Sequence, residues 1–379
     1  MHLTNYFIGM KIVFAIKRLD RAVGGAERVL CMVASELSRR GHDITVVTCD
    51  SNQSTPFYPI HDGIRIINLS VGETAEPGRF VVTLTRIIAL RRAIIRINPD
   101  VVVGFMHSIF IPLSFALVGA NIPLVASEHI VPDHYRSRPL QFALLWISAF
   151  NIQRITVLSE NIKRSYPKLL RDRMHVLRNP VLPVDNYANP GRLKDSYILL
   201  NIGRLDNQKD QKTLINAFAL IAHSFPNWIL RIYGDGTLRD SLEGLIIHLG
   251  LVDQVFLLGN TSLISEEYAK ADIFCLSSLY EAYPLVVVEA QSHGLPVVAF
   301  ENCPGVNELV INRKNGLLVE SSYNRSQSLA KSLSQLMCDS TLRYEYGSAS
   351  RKATHQYSSL CDIANHWETL LTPLTTSSI

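Results

Sequence analysis

Short β-rich apolar runs recur along this chain in two successive series, each alternating with helical segments. The first series holds Ile12 to Ile16, Ile44 to Thr48, Ile64 to Leu69, Val101 to Phe105, Leu124 to Ser127 and Ile155 to Leu158. The second holds Ile198 to Ile202, Ile229 to Tyr233, Val255 to Leu258, Ile273 to Leu276, Pro296 to Ala299 and Gly316 to Val319. Strands spaced by helices build a mainly parallel sheet with helices on its faces, so the spacing predicts two doubly wound, Rossmann-like α/β halves.

Between the series, Asn179-Pro180-Val181-Leu182-Pro183 breaks the pattern with two prolines, and a polar stretch from Asp185 to Ser196 follows, which places the linker there. A chain of 379 residues is also too long for one ordinary core. The expected domains are 1–183, 184–355, and a last segment, 356–379, made of a helix and a polar tail. Leu360, Ile363, Ala364, Trp367 and Leu370 recur at helical spacing in that segment, which is expected to return to the first domain. Ligands of open α/β sheets bind beyond the carboxyl ends of the strands, so two such domains facing a cleft would grip a ligand between them.

Composition excludes some classes. With 47% apolar and 18% charged residues, the chain is no low-hydrophobicity disordered polymer. Its cysteines, Cys31, Cys49, Cys275, Cys303, Cys338 and Cys361, form no Cys-x-x-Cys, so neither a zinc site nor a disulfide framework is expected, and a reducing cytoplasm fits. Met1 to Gly9 lacks the pattern of a secretory leader, and Met10 is an alternative start. Val101 to Ser127 carries no Asp, Glu, Lys or Arg. Pro112, Gly119, Asn121 and Pro123 punctuate it as strand, helix and strand, so no membrane span is expected.

The formal net charge of +4 hides an asymmetry: residues 1–190 hold 22 Lys/Arg against 14 Asp/Glu, and residues 191–379 hold 15 against 19. No nucleic-acid motif accompanies the basic half, whose cations mix with long aliphatic stretches. An anionic membrane surface or a phosphorylated lipid is the expected partner, not nucleic acid.

Chemistry concentrates in the second half. Glu281 and Glu289 bracket Ala-Tyr-Pro-Leu-Val-Val-Val, and upstream a strand ends in Gly203-Arg204, with Lys209 in the loop beyond. Carboxylates accept hydrogen bonds from sugar hydroxyls, while Arg204 and Lys209 can hold a diphosphate; together they read as a nucleotide-sugar site. Alternatively, Glu281 is a helix cap, Glu289 a surface residue and the cations solvated. Pro284 is expected to begin the helix that contains Glu289, whose leading amides would face the diphosphate. Gly24-Gly25 after the first strand allow close backbone approach to a ligand, or simply make a tight turn. Gly234-Asp235-Gly236 reads as a turn near the nucleotide.

Gly24-Gly25-Ala26-Glu27-Arg28, Ser127-Glu128-His129, Gly203-Arg204 to Lys209, Gly234-Asp235-Gly236 and Glu281 to Glu289 stand in the order typical of glycosyltransferase family 4. The chain resembles a retaining GT-B glycosyltransferase over roughly residues 10–370, and most resembles bacterial enzymes that extend sugars on polyprenyl diphosphate carriers. The resemblance implies that 1–183 binds the acceptor and 184–355 the nucleotide-sugar. Glu281 would contact the transferred sugar and Glu289 the ribose, with backbone near Tyr283, Pro284, Leu285 and Val286 on phosphate. His129 would bond a donor hydroxyl or order the acceptor, with His134, Glu128 and Asp133 as neighbours able to share the work. Tyr283-Pro284 departs from the Gly-Leu-Pro or Gly-Phe-Gly variants frequent in the family, which puts the sugar preference in doubt.

No cofactor or metal is expected: the sequence lacks an Asp-x-Asp motif, and Arg204 and Lys209 would stabilise the departing diphosphate instead. The donor is expected to be UDP-linked, by resemblance alone, and the acceptor a lipid-diphosphate-linked glycan. For the acceptor lipid, Arg79 to Asn98 reads as an amphipathic helix presenting Arg86, Arg91, Arg92 and Arg96, or as a helix packed on the sheet with solvated arginines. Tyr135 to Phe150, with Arg136 and Arg138, is a second candidate. The enzyme would lie on the cytoplasmic face of the inner membrane. An epimerase or phosphorylase on the same scaffold, or a noncatalytic subunit, are the competing readings.

Overall fold

A computed structural model describes residues 9–20, 25–71, 80–135, 138–320, 324–354 and 359–375. Gly24 and Arg136 lie outside the described residues. The chain divides into two compact units, Met1–Pro180 with Ser359–Ile379, and Val181–Ser358.

The first unit is built on a seven-stranded sheet: β1 (Lys11–Ala15), β2 (Asp43–Thr48), β3 (Arg65–Asn68), β4 (Val101–Phe105), β5 (Leu124–Ser127), β6 (Arg154–Val157) and β7 (Met174–Val176). The order is β3-β2-β1-β4-β5-β6-β7, and every pairing is parallel. Central strands covered on both faces must be apolar throughout, and every residue of β4 is buried. Gly104 lies against the helix His107–Ala116, where a Cβ would come within 2.8 Å of Phe110 Cβ. The uncharged stretch is therefore β4, a buried helix and β5, and no described helix is long and apolar enough to cross a membrane.

The helix Leu360–Thr375 packs on this first unit. Trp367, 1% exposed, stacks on Phe105 with ring centroids 6.1 Å apart and meets Phe14 edge-on at 6.2 Å. Arg40 donates to Asn365 at 2.6 Å and to Glu368 at 3.0 Å, tying the helix Gly25–Arg39 and its exit to the chain's last element.

The helix Phe80–Ile97 corrects the expectation for its arginines. Arg86 is 5% exposed, because it shares a stripe at helical spacing with buried Leu90 and Ile94. Arg91 donates to the carbonyls of Ala116 and Val118 at 2.6 and 2.9 Å, satisfying the end of a neighbouring helix. Only Arg92 and Arg96 of the four are left exposed, beside Leu84, Ile88 and Ile95.

In the second unit, β8 (Tyr197–Ile202), β9 (Trp228–Tyr233), β10 (Val255–Gly259), β11 (Ile273–Leu276), β12 (Val297–Phe300) and β13 (Gly316–Val319) form a parallel sheet in the order β10-β9-β8-β11-β12-β13. Each sheet therefore reverses direction once, between β1 and β4 and between β8 and β11. At such a switch point the connections leave to opposite sides and open a crevice at the carboxyl ends of the strands.

Candidate functional site

At the β8/β11 switch point the expected residues converge. Lys209 Nζ lies 2.6 Å from Glu281 Oε1, and both side chains are largely buried. Glu281 follows β11, and its backbone carbonyl accepts the Gly305 amide at 3.0 Å. A Cβ on Gly305 would fall 2.6 Å from that carbonyl, so the loop after β12 can lie against Glu281 only with glycine there.

Lys209 is positioned by its own loop. Its amide donates to Asp206 Oδ1 at 3.0 Å, and its carbonyl accepts Ser277 Oγ at 2.8 Å. Asp210, at φ 49, caps the helix Gln211–Ala219 by accepting the Thr213 amide, which turns the chain abruptly behind the lysine. The Lys209 stem passes over Gly203, where a Cβ would stand 3.3 Å from Lys209 Cδ and Cγ.

Arg204 is half open to solvent and does not touch Glu281 directly. It pairs with Asp206 at 3.1 Å and donates to Gln208 Oε1 at 3.3 Å; Gln208 in turn donates to the Tyr280 carbonyl at 3.0 Å, next to Glu281. Gly234, at φ +133, is required by contact as much as by conformation, since a Cβ would sit 2.0 Å from the Gly203 carbonyl. The turn after β9 thus braces the turn that carries Arg204.

The helix Leu285–Ser292 starts one residue later than expected: Pro284 is its N-cap rather than its first residue. The first bond runs from Val287 N–H to the Pro284 carbonyl, so the amides of Leu285 and Val286 lead the helix with no intrahelical acceptor. Tyr283 beside them is buried. Glu289, inside the helix, accepts Tyr268 OH at 3.0 Å, and that phenol is fixed by stacking on His293 at 5.0 Å.

Arg325 was not anticipated. It donates to the Ser277 carbonyl at 3.0 Å, pairs with Asp210 at 3.5 Å and lies 3.6 Å over the Phe300 ring, clamping the β11 exit. No motif surrounds it in the sequence.

In the first unit, Gly25 opens the helix Gly25–Arg39 after β1. His129 follows β5, hydrogen-bonded through Nε2 to Ser127 Oγ at 3.0 Å and stacked on Phe105 at 5.2 Å. Burial lowers its pKa to about 4, so the ring is neutral near pH 7. Glu128 is 2% exposed and accepts Tyr135 OH at 2.7 Å and the Ile130 amide at 3.2 Å. Burial raises its pKa to about 7, against the opposing pull of those hydrogen bonds. His134 contacts exposed Arg138, and its ring lies 5.1 Å from His107, which sequence reasoning did not single out.

Comparisons with known proteins bear on the family and the fold. Residues 23–183 match the family described as Glycosyltransferase Family 4, and residues 185–353 match Glycosyl transferases group 1. A Campylobacter jejuni protein named GalNAc-alpha-(1->4)-GalNAc-alpha-(1->3)-diNAcBac-PP-undecaprenol alpha-1,4-N-acetyl-D-galactosaminyltransferase is 28% identical over 89% of this chain and 91% of its own length. Among solved structures, sucrose-phosphate synthase from Thermosynechococcus elongatus superposes with TM-score 0.84 at 20% identity, covering 97% of this chain and all of that one. Anabaena HepE in complex with UDP-glucose superposes with TM-score 0.76 at 20% identity, covering 96% and 100%.

Proposed function

The chain belongs to glycosyltransferase family 4, with the two Rossmann-like domains of the GT-B fold, and from that premise we propose a retaining, metal-independent sugar transfer. A hexose or N-acetylhexosamine passes from a nucleotide-sugar, UDP-linked, to a lipid-diphosphate-linked glycan in bacterial surface polysaccharide synthesis. The observation that carries this reading is the Lys209–Glu281 pair at the β8/β11 switch point, with Arg204 one hydrogen-bonded residue away.

The roles follow from charge. As the anomeric bond stretches, negative charge builds on the diphosphate; Lys209, Arg204 and the leading amides of the helix Leu285–Ser292 are donors fixed in place for it. Glu281 orients the sugar hydroxyls and Glu289 the ribose. Retention follows when the acceptor hydroxyl enters on the face the diphosphate leaves, with the diphosphate taking the acceptor proton. A neutral His129 can accept or donate a hydrogen bond to a substrate hydroxyl. The lipid-linked substrate named for the Campylobacter relative supports the acceptor class, and the UDP-glucose held by the Anabaena protein supports the donor class.

The first unit would meet an anionic bilayer from the cytoplasmic side through exposed Leu84, Ile88, Leu140 and Phe150, flanked by exposed Arg92 and Arg138. The test of function is a panel of nucleotide-sugars incubated with a short lipid-diphosphate acceptor, with product mass and anomeric configuration determined. One donor giving an α-linked product from an α-linked sugar is the expected result; an inverted product overturns the mechanism, and turnover without acceptor overturns the transferase reading.

A further inference from the structure

Glu289 is gripped from outside its own helix. The helix Ile264–Lys270, which precedes β11, carries Ser265 and Tyr268 three residues apart and so on one face. Tyr268 is 1% exposed, with its ring centred 5.9 Å from that of Phe274 and 5.0 Å from that of His293. Its hydroxyl lies 3.0 Å from Glu289 Oε2 and 3.2 Å from the Val286 carbonyl oxygen. A phenol has one proton to give, and a carboxylate makes the stronger bond with it than a neutral carbonyl does. A buried hydroxyl needs only one acceptor; here the acceptor it takes is the half-buried side chain proposed for the ribose.

The Tyr268 ring has a fixed support in turn. His293 Nδ1 lies 2.7 Å from the Glu289 carbonyl oxygen, and a carbonyl only accepts, so Nδ1 carries a proton. Burial disfavours a second proton on this ring and lowers its pKa. Nε2 is then a bare acceptor, and Ser265 Oγ, 2.8 Å away, donates to it. The chain from Ser265 through His293 to the Glu289 backbone thus fixes both the tautomer and the orientation of the imidazole, on which Tyr268 stacks at an interplanar angle of 24°.

We infer that Tyr268 is a positioning residue for the donor's ribose: its hydroxyl holds the Glu289 carboxylate in the rotamer that accepts the ribose hydroxyls, and the Ser265–His293 pair holds Tyr268. The inference rests on the reading of Glu289 as the ribose-binding residue. A free glutamate would give up side-chain freedom at every binding event, whereas a carboxylate fixed in advance does not. The same hydroxyl touches Val286, whose amide is among those proposed for the diphosphate, so ribose and diphosphate are met by one braced helix.

The nucleoside diphosphate with the base the wild type prefers, and its 2′,3′-dideoxy analogue, are titrated calorimetrically onto the whole chain as wild type, Tyr268→Phe, Glu289→Ala and the double variant. Tyr268→Phe keeps the ring and removes only the hydroxyl. It should weaken the ribose nucleotide by about tenfold and leave the dideoxy analogue, which serves as the control for folding, unchanged. In the Glu289→Ala chain the same substitution should change neither affinity, because the residue it acts through is gone. An equal loss for both nucleotides, an undiminished loss in the Glu289→Ala background, or no loss at all overturns the inference. Glu289→Ala alone separates that failure from a failure of the ribose reading. If it abolishes the preference for the ribose nucleotide while Tyr268→Phe leaves the preference untouched, the ribose reading stands and the inference falls. If it leaves the preference intact, the ribose reading falls and takes the inference with it.

Discussion

Lys209 Nζ stands 2.6 Å from Glu281 Oε1, across 72 residues of sequence. The pair joins the exit of β8 to the exit of β11, so the cation proposed for the leaving diphosphate and the carboxylate proposed for the sugar hold each other in place before any ligand arrives. Removing either partner leaves a largely buried charge uncompensated. Lys209→Ala should therefore destabilise the second unit by up to about 3 kcal/mol and lower kcat by on the order of 100-fold. Denaturant unfolding and transfer kinetics check this; the Lys209→Ala, Glu281→Ala double variant should cost less stability than the sum of the single ones.

Gly234→Ala tests the brace between the turns after β8 and β9. With φ +133 and the Gly203 carbonyl 2.0 Å from the added Cβ, the backbone must move. A loss of roughly 2 kcal/mol of stability is expected, with a raised donor KM because Arg204 shares the displaced turn. Thermal unfolding and donor titration read the two effects separately.

Glu128 predicts a pH dependence whose sign is opposite to that of an ordinary ion-paired carboxylate. Its pKa rises from 4.5 to about 7 on folding because the carboxyl is buried, so between those values the folded state holds a proton that the unfolded state has released. Its contribution to stability is thus full below about pH 4.5 and is lost as pH rises toward 7, by at most about 3 kcal/mol. Neutral histidines in the same unit act in the other direction below pH 6.5, so the quantity to measure is the difference between wild type and Glu128→Gln. That difference should change across pH 4.5 to 7 and be flat above about pH 8.

Trp367→Ala should reach His129 from the C-terminal helix. Trp367 stacks on one side of a ring cluster in which Phe105 also stacks on His129. Truncation should cost about 3–5 kcal/mol and lower kcat through a loosened His129, whereas Trp367→Phe should recover most of both. Unfolding curves and transfer rates for the two variants decide it.

Much of this was legible in the sequence, for physical reasons that also mark where reading stops. The parallel strands announce themselves because two-sided burial demands continuous apolar runs such as Val101 to Phe105. β7 escaped because Met174–Val176 is short and carries an exposed His175. Arg86 reads as a solvent-facing cation by its charge, yet its spacing to Leu90 and Ile94 sets it on the buried stripe of the helix. Glu281, Lys209 and Arg204 could be named from their motifs, but the 2.6 Å contact could not, since a pairing between residues so far apart depends on sheet order. Arg325, Gly305 and His107 act through tertiary contact alone and leave no local pattern.

The central claim is that Arg204 and Lys209 recognise the diphosphate of the donor. Calorimetric affinities for nucleoside diphosphate and monophosphate, with the base the wild type prefers, test it on the wild type and on the Arg204→Ala, Lys209→Ala chain. The account predicts a preference for the diphosphate of about tenfold or more in the wild type, collapsing toward equality in the variant while monophosphate binding persists. An undiminished preference in the variant would contradict it.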